Sequence, residues 1–180
     1  MKRGAGKSDW DAFLGMLAPG PREKILDVGA GDCSKAAMVM QASNGADVYA
    51  VDPNERKIAA AKRARPQVKS SVAEAERLPF PDSHFDKAYS TMALHHFADL
   101  DRSLGEIARV LKPGGSYIIL EVEPGSLVGR LFRLIGRLMG EKMRIMTEEQ
   151  LLARLERTAG FKVVRSVGLG SRYLVQLAKA

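Results

Sequence analysis

Cysteine is almost absent. Cys33 stands alone in 180 residues, so no intramolecular disulfide can form, and a lone thiol fits a reducing compartment. No apolar run approaches the roughly 18 residues a membrane span needs. The apolar stretch 12–18, behind a basic start, has the outline of a signal peptide. Asp9 and Asp11 border it, however, and Pro19, Gly20 and Pro21 close it in place of a small-residue cleavage site. An amphipathic helix over 10–17 is expected instead, and the chain reads as cytoplasmic. The histidines are His84, His95 and His96. They show no ligand spacing with cysteine or a carboxylate pair, so no metal site is expected.

What the chain does have is the composition of a globular protein, 46% hydrophobic and 27% charged, at about the length of one domain. Its net charge of +7 is unevenly spread. Residues 1–124 hold 17 Lys/Arg and 17 Asp/Glu, whereas 125–180 hold 11 and 4. The whole excess belongs to the last third.

From Pro21 onward strands alternate with helices. Strand patterns fall at 24–28, 47–51, 67–72, 85–90 and 117–120, and helix patterns at 34–43, 54–64 and 100–111. That alternation predicts a parallel sheet with helical crossovers, an α/β architecture. A basic amphipathic segment at 126–140 comes next. A helix from Thr147 follows, with Gln150 at capping-box spacing, and then strand patterns at 161–167 and 172–177. The pair closes as a hairpin around Gly168 and Gly170, which puts an antiparallel strand at the end of the sheet.

The turn after the first strand carries Gly29, Ala30 and Gly31. Glycines there let backbone approach a ligand closely. A dinucleotide fingerprint would need a glycine where Ser34 stands. Asp27, two residues before the loop, is awkward for a pyrophosphate and suits a cationic amino-acid ligand. Asp52, 25 residues later, closes the second strand where a carboxylate can accept both hydroxyls of a ribose; alternatively it only initiates the Asp-Pro-Asn turn.

Six runs in order complete the pattern: ILDVGAG at 25–31, VDP at 51–53, AERLPFP at 75–81, FD at 85–86, LHHF at 94–97 and VLKPGG at 110–115. Together they resemble the class I S-adenosylmethionine-dependent methyltransferases, in particular the small type 11 members. The resemblance covers residues 22–123. It implies a Rossmann-like three-layer sandwich with a seven-stranded sheet in the order 3-2-1-4-5-7-6, strand seven antiparallel. It further implies one domain over 1–180, made of a cap helix (1–21), a cofactor core (22–123), a substrate-lid insertion (124–146) and a closing helix and hairpin (147–180). S-adenosylmethionine is the implied cofactor. Its methionine moiety is expected against Asp27, Gly29, Ala30 and Gly31, its ribose at Asp52 and its adenine beside Pro53, Glu74 and Ala75. Ser90, Thr91 and Met92 are expected to close the pocket. Cys33 falls where the family often has a third glycine, and a packed structural thiol is expected there.

Methyl transfer from a sulfonium is an in-line displacement that depends above all on alignment and exclusion of water. A base is needed only for a protonated acceptor. His95, His96 and Glu121 lie near the carboxyl edge of the sheet, where open α/β sheets bind ligands. They are the candidates, and a structural or cofactor-positioning role is the alternative for each. Arg130, Arg133 and Arg137 occupy one side of the 126–140 segment, and Leu127, Leu131, Leu134, Ile135 and Leu138 the other. Three readings of that segment stand: a lid over the acceptor, a contact with an anionic membrane surface, or nucleic-acid binding. The last is the weakest, since the segment lacks interleaved aromatics. The expected acceptor is a small or lipid-like molecule, and a homodimer that completes an open site fits the short N-terminal cap. The competing functions are methylation of RNA or protein, aminopropyl transfer, and cofactor binding without catalysis.

Overall fold

Most of the α-helices begin where a polar side chain satisfies a free N–H group. In the computed structural model, which describes residues 8–138, 140, 144–157 and 160–180, α1 (Asp9–Leu17) opens on a reciprocal capping box between Ser8 and Asp11. β1 (Lys24–Val28) leads through the glycine turn into α2 (Ser34–Ser43), and β2 (Asp47–Asp52) leads into α3 (Glu55–Ala64), capped by Asn54. β3 (Lys69–Val72), β4 (Phe85–Thr91) and a 3-10 turn at Leu94–His96 precede α4 (Leu100–Val110), capped by Asp99. β5 (Leu111–Val122), α5 (Leu127–Leu138), α6 (Glu148–Leu155), β6 (Phe161–Gly168) and β7 (Arg172–Lys179) complete the chain. The expected capping box at Thr147 and Gln150 opens α6. Residues 1–7, and 139 and 141–143 of the expected lid, lie outside the described residues.

The seven strands form one sheet in the order β3-β2-β1-β4-β5-β7-β6, with β7 antiparallel to both of its neighbours. Strand alternation sends successive side chains to opposite faces. Ile25 packs with α1, α2 and α3, while Leu26 packs with α4 and α6. This gives three layers. Fully buried Leu104 and Ile107 on α4 each contribute about 1.5–3 kcal/mol of apolar burial.

Most boundaries fall within about two residues of the sequence pattern, and the largest difference is at the fifth strand. The fifth strand begins at Leu111, directly after α4, and not at Tyr117. Phe85 pairs with Leu111 and Lys87 with Ser116, so residues 112–115 loop out of the ladder. Pro113 and the glycines punctuate the strand without ending it. A Cβ on Gly115 would lie 2.9 Å from the Lys112 carbonyl oxygen, which is why the bulge can close there. No described helix is long and apolar enough to cross a membrane.

Candidate functional site

The strand order reverses between β1 and β4, and the carboxyl ends of the strands open there into a cavity of about 1280 Å³. Its floor is the turn after β1. Gly29 has φ +82° and a Cβ there would sit 2.5 Å from that of Ala93, so only glycine fits. Gly31 (φ +55°) faces open space. Cys33 also occupies the left-handed region, at φ 59°, a conformation that costs a non-glycine residue about 1–2 kcal/mol. The expectation of a packed thiol fits its complete burial. Burial, with Asp27, Asp32 and Asp52 nearby, pushes that thiol up to about 11.

The turn is tied to β2. Gly29 and Ala30 donate their N–H groups to the Val51 carbonyl, both at 2.9 Å, and Gly31 donates to Asp52 Oδ2 at 2.8 Å. Asp52 Oδ1 accepts from Asn54 N–H at 2.9 Å. Three donors that a phosphate would need are therefore occupied. Asp32 also places a carboxylate at the α2 N-terminus, accepting from Ser34 N–H at 3.0 Å. The Ser34 hydroxyl and backbone hold that carboxyl below its usual range. Six acids line the cavity (Asp9, Asp32, Asp52, Glu74, Glu76, Asp99) against Lys35, Lys57, Arg102 and Arg172. The electrostatics suit a cation-bearing ligand and oppose a pyrophosphate.

Asp27 lies behind this floor, fully buried, and neither carboxylate oxygen has a hydrogen-bond partner among the described residues. Burial raises its carboxyl to about 7; the nearby Tyr89 hydroxyl pulls it down without making a well-aligned bond, and the Asp52 charge pushes it up.

Among the residues singled out from the sequence, Gly29, Ala30, Gly31, Asp52, Pro53, Glu74, Ala75, Thr91, Met92 and His96 line the cavity. Four do not. Asp27 is below the floor. Ser90 is inside the sheet, where its hydroxyl donates to the Val28 carbonyl at 2.8 Å and accepts from Tyr117 at 2.8 Å. His95 and Glu121 are each 3% exposed, and His95 Nδ1 lies 3.0 Å from Glu121 Oε2. Glu121 Oε1 accepts from Leu94 N–H at 3.0 Å. The pair thus anchors the 3-10 turn, and His95 Nε2 has no partner among the described residues.

Sequence reasoning missed Arg172 altogether. It arrives from β7, binds Asp9 of α1 at 2.8 Å and lines the cavity, and no local pattern announces that long-range pair. Asp32 was legible, since it sits within the glycine turn. Trp10, next to Asp9 on α1, also lines the cavity, stacked on Phe13 at 4.7 Å, with Lys35 Nζ 4.5 Å from its ring centroid.

A family model described as a methyltransferase domain matches residues 26–119. The chain is 36% identical over 119 residues to the ubiquinone/menaquinone biosynthesis C-methyltransferase UbiE of Bordetella parapertussis, covering 62% of this chain and 46% of that protein. It is 36% identical over 106 residues to a demethylmenaquinone methyltransferase of Thermus thermophilus, covering 57% and 48%. The chain thus spans about half the length of these curated relatives. A solved S-adenosylmethionine-dependent methyltransferase from Mesorhizobium loti superposes with a TM-score of 0.81 at 20% identity, over 97% of this chain and 99% of that one.

Proposed function

The chain belongs to the class I S-adenosylmethionine-dependent methyltransferases of the type 11 family, and from that premise we propose that it methylates a small, quinone- or lipid-like acceptor. The observation that carries the reading is the acid-lined cavity over a glycine turn whose N–H groups are already committed to β2. The chain's residues fit the cofactor. Its ammonium and sulfonium are cationic, and the cavity presents Asp52, Glu74 and the partnerless Asp27 toward or beneath that space.

Gly29, Ala30 and Gly31 would hold the methionine moiety, with the Asp27 carboxyl below them, whose ionised form the cationic ligand would favour. Asp52 would accept the ribose hydroxyls, and Pro53, Glu74 and Ala75 would bound the adenine. Thr91 and Met92 would close the reacting end. The bound cofactor supplies an electrophilic methyl on sulfur. The chain's own contribution is to fix the line of approach and exclude water, which can supply several kcal/mol. His96 is the one proposed catalytic residue that lines the cavity; its imidazole would take the proton from an acceptor hydroxyl. His95 and Glu121 would position His96 through the turn they anchor. The acceptor class rests on the quinone-pathway relatives and on apolar side chains among those lining the cavity, Leu120, Phe97 and Met92.

Isothermal titration with S-adenosylmethionine and S-adenosylhomocysteine tests the first half, and no heat at millimolar ligand would sink it. Asp52→Ala should weaken binding about 100-fold, since it removes a charged acceptor for both a ligand and the Gly31 N–H. Incubating cell extract with methyl-labelled cofactor tests the second half. Label in the lipid fraction supports the reading, whereas label in RNA or protein overturns it.

A further inference from the structure

The apolar side of α5 points away from the rest of the protein. At 3.6 residues per turn, Gly129, Phe132 and Gly136 share one arc, and that arc is the side that packs. Both glycines are buried, and the Phe132 ring meets His95 edge-on with centroids 5.2 Å apart. A Cβ on Gly129 would lie 2.2 Å from the Glu123 carbonyl oxygen, so glycine is what allows the helix to rest on the chain that enters it. Ser126 caps this first turn, its hydroxyl accepting from Gly129 N–H at 3.0 Å.

On the opposite arc Leu127, Leu131, Leu134 and Leu138 are 83%, 57%, 52% and 79% exposed, and Ile135 and Val128 beside them are 44% and 42% exposed. Six large apolar side chains in one contiguous stripe are more than scattered surface residues. Arg130 and Arg137 flank the stripe, with Arg133 next to them, and residues 127–138 contain no Asp or Glu. Neither Arg130 nor Arg137 has an ion pair among the described residues. A helix with a wide apolar face, an arginine flank and no acid complements an anionic lipid surface. A second copy of the chain seated on this face would bring arginines with no acid from α5 to pair them. Twelve residues rise about 18 Å, too short to span a bilayer and long enough to lie in its interface.

We propose that α5 docks the protein on an anionic membrane surface. Leu127, Leu131, Leu134 and Leu138 enter the acyl boundary, and Arg130 and Arg137 reach the lipid phosphates. Phe132 packs on His95, and its neighbour His96 lines the cavity, so docking brings the rim of that cavity to the bilayer. Delivery of a lipid-like acceptor by this route rests on the function proposed above; the docking itself does not.

The test is co-sedimentation of the full chain with vesicles, without turnover. Equal parts phosphatidylcholine and phosphatidylglycerol are compared with phosphatidylcholine alone. The chain should pellet with the anionic vesicles, and binding should weaken as salt rises from about 0.1 M to about 1 M, where the Debye length shrinks from about 10 Å to about 3 Å. Arg130→Gln with Arg137→Gln should cost about fivefold per arginine on anionic vesicles only. Leu131→Gln with Leu134→Gln should cost about tenfold or more. Unchanged S-adenosylhomocysteine affinity in both variants establishes that they are folded. Failure to pellet with anionic vesicles at low salt overturns the proposal, as does pelleting that the leucine variant leaves intact. A dimer in light scattering that the leucine variant splits, with no vesicle binding, also overturns it and assigns the stripe to a second copy. Docking that persists while methyl label appears outside the lipid fraction supports α5 and refutes only the acceptor.

Discussion

Glu121→Ala separates a scaffold from a catalytic base. The wild-type carboxylate is 3% exposed and holds two close donors, Leu94 N–H at 3.0 Å and His95 Nδ1 at 3.0 Å, with Val122 N–H farther off at 3.4 Å. The ring's other nitrogen, Nε2, has no partner among the described residues, so Glu121 makes the ring's only polar contact among them. Truncation to alanine leaves two buried donors unpaired, each costing about 1–3 kcal/mol. Some local relaxation or an entering water lowers the sum, so about 3 kcal/mol is expected for the pair. For a chain of this length that corresponds to a fall in Tm of about 6–12 °C, measured by differential scanning calorimetry. Glu121→Gln keeps an acceptor for Leu94, and its amide can donate to Nδ1 if the His95 ring adopts the other tautomer. It should cost only about 1 kcal/mol. A Tm within about 2 °C of wild type for the alanine variant would refute the structural role. So would a glutamine variant that keeps its Tm but loses turnover about 100-fold, the signature of a lost proton acceptor.

Asp27 makes stability depend on pH in a direction opposite to that of a paired carboxylate. An unfolded aspartate ionises near 3.9, whereas burial holds this one at about 7. The folded protein therefore keeps a proton that the unfolded chain has released, and stability contributed by Asp27 is lost as pH rises through about 7. Relative to Asp27→Asn, the Tm of the ligand-free protein should fall between about pH 4 and about pH 7 and level off above; a constant difference would contradict the assignment. Cys33 should resist maleimide near neutral pH in the folded protein and react fully once unfolded, because it is buried and its thiol is raised to about 11. Trp10 is the sole tryptophan and lines the cavity beside Lys35, so S-adenosylhomocysteine should change the intrinsic fluorescence. Trp10→Phe should abolish that signal while leaving calorimetric binding in place.

Local chemistry was enough to place most elements. The strand at 24–28 and the helix at 34–43 coincide with β1 and α2, because a period change and the glycine turn mark their ends. The capping residues Asn54, Asp99 and Thr147 start their helices for a reason contained within four residues of sequence. Pro113 misled the reading at β5: proline and glycine end an element where the chain leaves it, but here they bulge from a ladder that resumes at Ser116. Whether a bulge or an end results depends on Phe85 and Lys87 across the sheet.

Side-chain orientation at the site was less legible. Ser90, Thr91 and Met92 are adjacent in sequence, yet Ser90 links β1 to Tyr117 inside the sheet while the other two line the cavity. His95 and His96 divide in the same way. Spacing alone cannot decide between neighbours at the end of a strand, where the alternation gives way to a turn.

The sequence by itself determined the alternation of strands and helices, the glycine turn at 29–31 and the acids around it, and the separation of a neutral first part from a basic tail. These follow from periodicity, backbone freedom and charge, which are properties of short segments. Tertiary structure alone decided that Glu121 is a buried anchor, that Arg172 reaches Asp9, and which side of α5 meets the protein. The helical pattern of 127–138 fixes the angle between its leucines and its glycines. Only the close approach to Glu123 and Pro124, which no side chain at Gly129 would permit, turns the glycines inward and leaves the leucines outside.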